Sequence, residues 1–149
     1  MPHACGGVAS GVIGNELFIA GGYGEGGVDL LTLQIYDIAG GSWRLGAALP
    51  EPRIRAIGVV ADGKLFVINR GSKNLLVYDP QSETWTQEAP PPAVTNSLYI
   101  SRACAHKGQL VVFLSDGTAC ERADDGSWYP YEVARGCGHD DLVESVILG

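Results

Sequence analysis

Three tryptophans, Trp43, Trp85 and Trp128, stand 42 and 43 residues apart. Each closes a segment that aligns with the other two without a gap: IYDIAGGSW, VYDPQSETW and CERADDGSW. Such a spacing constrains the fold more than any single residue does, because a repeated unit buries its apolar surface against its neighbours in the same way each time. A second register runs upstream. Glu16-Leu17-Phe18-Ile19-Ala20 matches Lys64-Leu65-Phe66-Val67-Ile68 and Gln109-Leu110-Val111-Val112-Phe113, so that Leu17, Leu65 and Leu110 lie 48 and 45 residues apart. Each apolar run follows a polar-glycine dipeptide, Gly14-Asn15, Asp62-Gly63 or Lys107-Gly108. These are the residues that close a tight hairpin by taking up positive φ.

Each unit reads as four short strands. In the first they cover about residues 8–12, 16–21, 31–37 and 42–45, and their β-branched and aromatic content suits strands rather than helices. The 21 glycines and 8 prolines fall between the apolar runs, where turns belong. With 149 residues, 46% hydrophobic and 18% charged, the chain is long and apolar enough to bury a core. The expectation is an all-β chain without helices. Four antiparallel strands in each repeat of about 45 residues describe a propeller blade. The repeats fall at about 4–50, 51–97 and 98–140, with a last strand at 141–149.

The pattern resembles the kelch repeat, which sets a double glycine after its second strand and a Tyr-Asp and a Trp further on. Gly21-Gly22, Tyr36, Asp37 and Trp43 supply the full set in the first unit, and Pro52-Arg53 is similar to that family's turn between blades. The resemblance covers the chain from about Ala4 to Gly149. It implies a kelch-type β-propeller of three four-stranded antiparallel blades plus the first strand of a fourth. Later units depart from the pattern: Asn69-Arg70 and Leu114-Ser115 replace the double glycine, and Glu121-Arg122 replaces Tyr-Asp. The roles can also be derived physically. Paired glycines let backbones approach closely, the tryptophans anchor one small sheet against the next, and Asp37 and Asp79 bond local N–H groups in turns.

Leu142–Gly149 falls in register with Gly7–Gly14, so the chain stops as a fourth blade begins. Closed propellers have about four to eight blades, and three blades leave two inter-blade faces open. Three arrangements satisfy this: a piece or short form of a longer kelch protein, a half-propeller completed to six blades by self-association with a second copy, or an unusual closed form using the last strand. In either of the first two, an isolated copy associates or aggregates through its open edges.

A net charge of −7 and a pI near 4.8 argue against a nucleic-acid partner. No apolar run approaches the roughly 20 residues that span a bilayer, and the N-terminus lacks a basic start followed by an apolar stretch. No membrane association and a cytoplasmic location are therefore expected. Cys5, Cys104, Cys120 and Cys137 fit neither a CxxC pair nor a zinc site, and read as reduced, mostly buried thiols, with a single disulfide as the alternative.

The resemblance implies a protein-interaction module, of the kind used for substrate recognition in ubiquitin-ligase adaptors or as a cytoskeletal scaffold. The alternative is a kelch-type enzyme or small-ligand-binding propeller using the central channel. Copper oxidases of that class need two histidines and tyrosines, one linked to a cysteine. His3, His106 and His139 do not form such a set, and no catalytic residue, cofactor or metal is expected. The glycine-rich stretch 21–27 follows a strand but leads into no helix, which excludes a dinucleotide loop. Asp124-Asp125 and Asp140-Asp141 read as turn residues rather than a calcium site. Recognition is carried by loops. Arg53, Arg55, Arg70, Lys73 and Arg102 are the cationic candidates near loops or strand starts, with Tyr23 and Tyr99 as aromatic anchors, and together they suit a protein partner or acidic peptide.

Overall fold

The structure is a computed structural model that describes residues 1–70 and 73–132. Within these residues the chain forms three four-stranded sheets whose strands follow one another in sequence and pair antiparallel throughout. The first blade comprises β1 (Ala9–Ile13), β2 (Glu16–Ala20), β3 (Leu33–Asp37) and β4 (Ser42–Leu45). The second comprises β5 (Ile57–Ala61), β6 (Lys64–Ile68), β7 (Leu75–Asp79) and β8 (Thr84–Glu88). The third comprises β9 (Ile100–His106), β10 (Gln109–Leu114), β11 (Ala119–Arg122) and β12 (Trp128–Pro130). The only helical turn among the described residues is a 3-10 turn at Glu25–Gly27. The expected first strand of a fourth blade, 141–149, lies outside the described residues.

The innermost strands β1, β5 and β9 stand side by side. Glycine permits this closeness, since a Cβ on Gly58 of β5 would overlap the Ser10 backbone of β1. All three sheets are thus first-strand-in, as in a propeller.

Strand periodicity then decides what meets what, because alternate residues face opposite sides of a sheet. One face of the first blade presents Ala9, Phe18, Ala20, Leu33 and Ile35 to Leu65, Val67, Leu76 and Tyr78 of the second, and Leu49 from the connecting segment joins them. The opposite face of the second blade presents Val59, Ala61, Phe66, Ile68, Leu75 and Val77 to Ile100, Leu110, Val112 and Leu114 of the third. Each core lies between two blades rather than within one, so no blade buries its apolar surface alone.

Two contacts recur at both interfaces. The Trp85 indole N–H donates to the Ala47 carbonyl at 2.9 Å, and that of Trp128 donates to the Ala89 carbonyl at 3.1 Å. Each tryptophan thus clips its blade to the main chain leaving the preceding one. The Tyr78 ring meets Phe18 at 5.7 Å, and at the next interface the Arg122 guanidinium lies 5.2 Å from the Phe66 ring centre. Arg122 also makes a paired contact with Glu88, Nε to Oε2 at 2.6 Å and Nη2 to Oε1 at 2.8 Å.

Two sequence expectations need correction. The third repeat does not align without a gap. Tyr36 pairs with Trp43 and Tyr78 with Trp85, but Trp128 pairs with Arg122 and not with Glu121. The turn before Trp128 is one residue shorter, so Arg122 rather than Glu121 takes the tyrosine position. Trp43, in turn, belongs to neither core. It is half-buried against Tyr36 at 4.8 Å, on the face of the first blade that no other blade covers among the described residues.

Candidate functional site

Strand connections divide between two ends of the blades. The tight turns after β1, β5 and β9 and those after β3, β7 and β11 gather at one end. Their acids act within the turns: Asp37 Oδ1 accepts from the Asn15 amide at 2.8 Å and the Gly40 N–H at 2.9 Å, and Asp79 and Asp125 each accept an N–H two residues on at 2.9 Å. Those backbone N–H groups hold the Asp79 and Asp125 carboxyls below their ordinary range. These are turn residues, as the sequence suggested.

The opposite end carries the loops after β2, β6 and β10 and the segments that cross from blade to blade. Here the double glycine has its use. Gly21 and Gly22 both take positive φ, the Gly22 N–H bonds the Arg53 carbonyl at 2.6 Å, and a Cβ on Gly22 would overlap the Gly6 carbonyl. Three strands of main chain meet at this point, and side chains there would separate them. The second blade lacks the glycines, and the Asn69 side chain holds the segment entering its own blade by donating to the Ile54 carbonyl at 3.2 Å.

Beside this junction lies a cleft of about 440 Å³ lined by Ile54, Arg55, Ile57, Asn69, Arg70 and Ser101. It forms where the segment entering the second blade, the end of β6 and the inner strand β9 converge. Arg55 is fixed by its backbone: it has φ +51° and its N–H donates to the Gly7 carbonyl at 2.7 Å. Ser101 is fixed by its hydroxyl, which donates to the Phe113 carbonyl at 3.0 Å. The lining includes two arginines and, among the described residues, no aspartate or glutamate, and exposed Ile54 gives it an apolar lip.

Of the residues singled out from sequence, Arg55 and Arg70 come together in this cleft, and exposed Arg102 follows its Ser101 wall. Lys73 is exposed on the loop after β6 and is not part of the lining. Tyr23 and Tyr99 are both exposed. Tyr23 lies over Gly6 and Gly7, and Tyr99 is tied to Ser115, whose N–H bonds its carbonyl at 2.9 Å. Arg53 is different. It is 4% exposed and bonded to Glu51 at 2.8 Å and to Asn74, which itself donates to Glu51 at 2.7 Å. Burial pushes its guanidinium down, opposed by Glu51. Its role in the fold is to tie the crossing segment to the second blade. Asn69, Ile54, Ile57 and Ser101 were missed from sequence. The signal for Asn69 was available, since it stands where the first unit has a glycine of the pair.

Cys5, Cys104 and Cys120 are free, half-buried thiols, and burial raises those of Cys104 and Cys120. Cys137 and His139 lie outside the described residues, as do Asp140 and Asp141. Among the described residues no three His, Cys, Asp or Glu side chains group as metal ligands. No helix among them is long and apolar enough to cross a membrane.

Comparison with known proteins agrees with this geometry. A family model described as the kelch motif matches residues 4–50, the unit that holds the full glycine, Tyr-Asp and tryptophan set. Its first blade is a kelch motif, and the chain is similar to kelch-repeat proteins. Relatives bearing the same repeat extend the match beyond the first blade. Human Kelch-like protein 34 is 29% identical over 91 residues, which make up 54% of this chain and 14% of that protein. A putative F-box/kelch-repeat protein of Arabidopsis thaliana is 26% identical over 129 residues, 82% of this chain and 32% of that one. The chain therefore spans less than a third of either kelch relative. Among solved structures, YjhT superposes with a TM-score of 0.64 over 89% of this chain and 53% of its own, at 15% identity. That likeness is one of fold.

Proposed function

We propose that this chain is a protein-interaction module whose loop-bearing end takes an acidic peptide segment of a partner protein. One observation carries the reading: Arg55 and Arg70 line a single cleft to which no described carboxylate contributes. Paired guanidinium groups recognise carboxylates through charge-assisted, often bidentate hydrogen bonds. A net charge of −7 makes a local cationic cleft stand out against the rest of the molecule, which repels acidic ligands elsewhere. Exposed Ile54, Tyr23 and Tyr99 at the same end offer apolar contact beside the charges. Relatives named for F-box and kelch repeats support a role in partner recognition within a larger assembly, with substrate selection for a ubiquitin-ligase adaptor or a cytoskeletal scaffold as the specific settings.

The test is fluorescence anisotropy with labelled peptides rich in Asp and Glu and with Asn/Gln counterparts. The acidic peptides are expected to bind more tightly, with an affinity that falls as salt rises. The double variant Arg55→Ala, Arg70→Ala is expected to weaken binding by about tenfold or more. Equal binding of acidic and neutral peptides, or a double variant that binds as well as the wild type, would overturn the reading.

A further inference from the structure

The segment that enters the second blade is held at three successive residues. The Arg53 carbonyl accepts from the Gly22 N–H at 2.6 Å, the Ile54 carbonyl accepts from the Asn69 side chain at 3.2 Å, and the Arg55 N–H donates to the Gly7 carbonyl at 2.7 Å. Tyr23, the residue after Gly22, is held as firmly. Its N–H and carbonyl exchange a pair of 2.9 Å hydrogen bonds with Gly6. Its ring lies on the Gly6-Gly7 main chain. A Cβ on Gly6 would stand 3.1 Å from the ring Cζ, and one on Gly7 would stand 2.8 Å from Cε1 and 3.3 Å from the Arg55 nitrogen. Tyr23 and Arg55 are therefore neighbours across Gly7. Tyr23 is 40% exposed and Ile54 42% exposed, so two large apolar side chains stand open on hydrogen-bonded main chain.

Arg55 holds this place against its own backbone preference. Gly7 stands two residues before β1 and Arg55 two residues before β5, so the two are counterparts. Both take positive φ, +60° and +51°. Glycine adopts that conformation freely, whereas a side chain is strained in it, and strain of this kind gathers at ligand sites. The Arg55 side chain lines the cleft with Arg70. Arg55 thus shares its main chain with the seat of Tyr23 and its side chain with the cleft.

We infer that the acidic segment taken by the cleft carries an aromatic side chain two residues from its acidic one, and that Tyr23 is the anchor on which that ring packs. The inference rests on the reading of the cleft as a site for acidic peptides. In an extended chain, residues i and i+2 point to the same side, about 7 Å apart. A carboxylate on the arginines and a ring on Tyr23 fall within one such step, because both contacts start from Arg55. An aromatic ring suits the place better than an aliphatic chain. It meets a tyrosine in an offset or edge-on pair and gains beyond the area it buries. The seat is also formed in advance. Tyr23 loses little freedom when covered, since its main chain is paired with Gly6 and its ring already rests on glycine. Exposed Ile54, the chain neighbour of Arg55, adds a second apolar contact.

Labelled peptides in one glycine-serine background test this by fluorescence anisotropy. One carries a single Glu, two add Phe either two positions before it or two after, and each Phe peptide has a counterpart with Gln in place of Glu. Against the wild-type protein, one of the Phe peptides is expected to bind about tenfold more tightly than the peptide with Glu alone. With Tyr23→Ala that gain is expected to fall below about twofold, and with Tyr23→Phe to be kept. A second readout needs no variant: the Tyr23 ring signals in ¹H–¹³C spectra are expected to shift with the Phe peptide and much less with the peptide carrying Glu alone. No gain from either Phe peptide, or a gain that leaves the Tyr23 ring signals unmoved, overturns the inference, while a preference for Glu over Gln keeps the acidic reading standing. A Phe peptide that binds as well with Gln as with Glu overturns both.

Discussion

Arg122 is the residue whose role is furthest from what its neighbourhood in the sequence suggests. It occupies the tyrosine position of its blade, lays its guanidinium over Phe66 and pairs with Glu88 through two nitrogens. Its side chain is 11% exposed, so the pair is largely desolvated and its loss strands Glu88 at a blade interface. Arg122→Ala is expected to cost about 2–3 kcal/mol, read as a lowered urea midpoint with an unchanged slope. Arg122→Tyr restores the aromatic contact that Tyr78 makes with Phe18, and is expected to lose less than the alanine variant. A tyrosine variant less stable than the alanine one would contradict the equivalence of the two positions. The substitution was not legible because alignment on Trp128 moved Glu121 into the tyrosine slot, and only pairing reveals that this turn is one residue shorter. Arg53 was misjudged for a related reason. A cation near a turn reads as solvated until Glu51 and Asn74 are found around it.

At the level of strands and turns, much more could be read. The strands of the first blade lie within about two residues of the boundaries expected from alternation and turn chemistry. Tight turns bracket them, and each turn has its own acid or glycine. The third blade is less regular: β9 is longer, and its pairing with β10 shifts between Phe113 and Leu114. The turn acids also make a prediction. Hydrogen bonds from nearby N–H and hydroxyl groups hold Asp79, Asp116 and Asp125 below the ordinary carboxylate range. A carboxylate depressed in the folded state adds stability above its unfolded pKa, about 3.9, and loses it as pH falls through the lower folded value. The urea midpoint is expected to respond little to these groups between pH 7 and about 5, and to fall below about pH 4. Replacing all three by Asn is expected to flatten that acid limb. An acid limb unchanged in the triple variant would show that the turns do not contribute it.

Across the whole molecule, stability resides between blades. The repeat in the sequence disclosed the blades, but it could not disclose which faces are covered, because equivalent residues in equivalent strands have different neighbours. Trp43, Trp85 and Trp128 make the point: all three sit at one register position, and two of them reach the carbonyl of a preceding blade. The central claim is that the chain is a stack of kelch-type blades held face to face, in which no described blade covers the Trp43 face of the first. The most direct measurement is equilibrium urea denaturation of Trp43→Ala, Trp85→Ala and Trp128→Ala side by side. Trp85→Ala and Trp128→Ala are each expected to lose roughly 3 kcal/mol, since each removes a large ring from an inter-blade core and an N–H clip to the neighbouring blade. Trp43→Ala is expected to lose about 1 kcal/mol, the contact with Tyr36 and little more. Equal losses at all three positions would contradict the account, because they would require Trp43 to be anchored against a blade as the other two are.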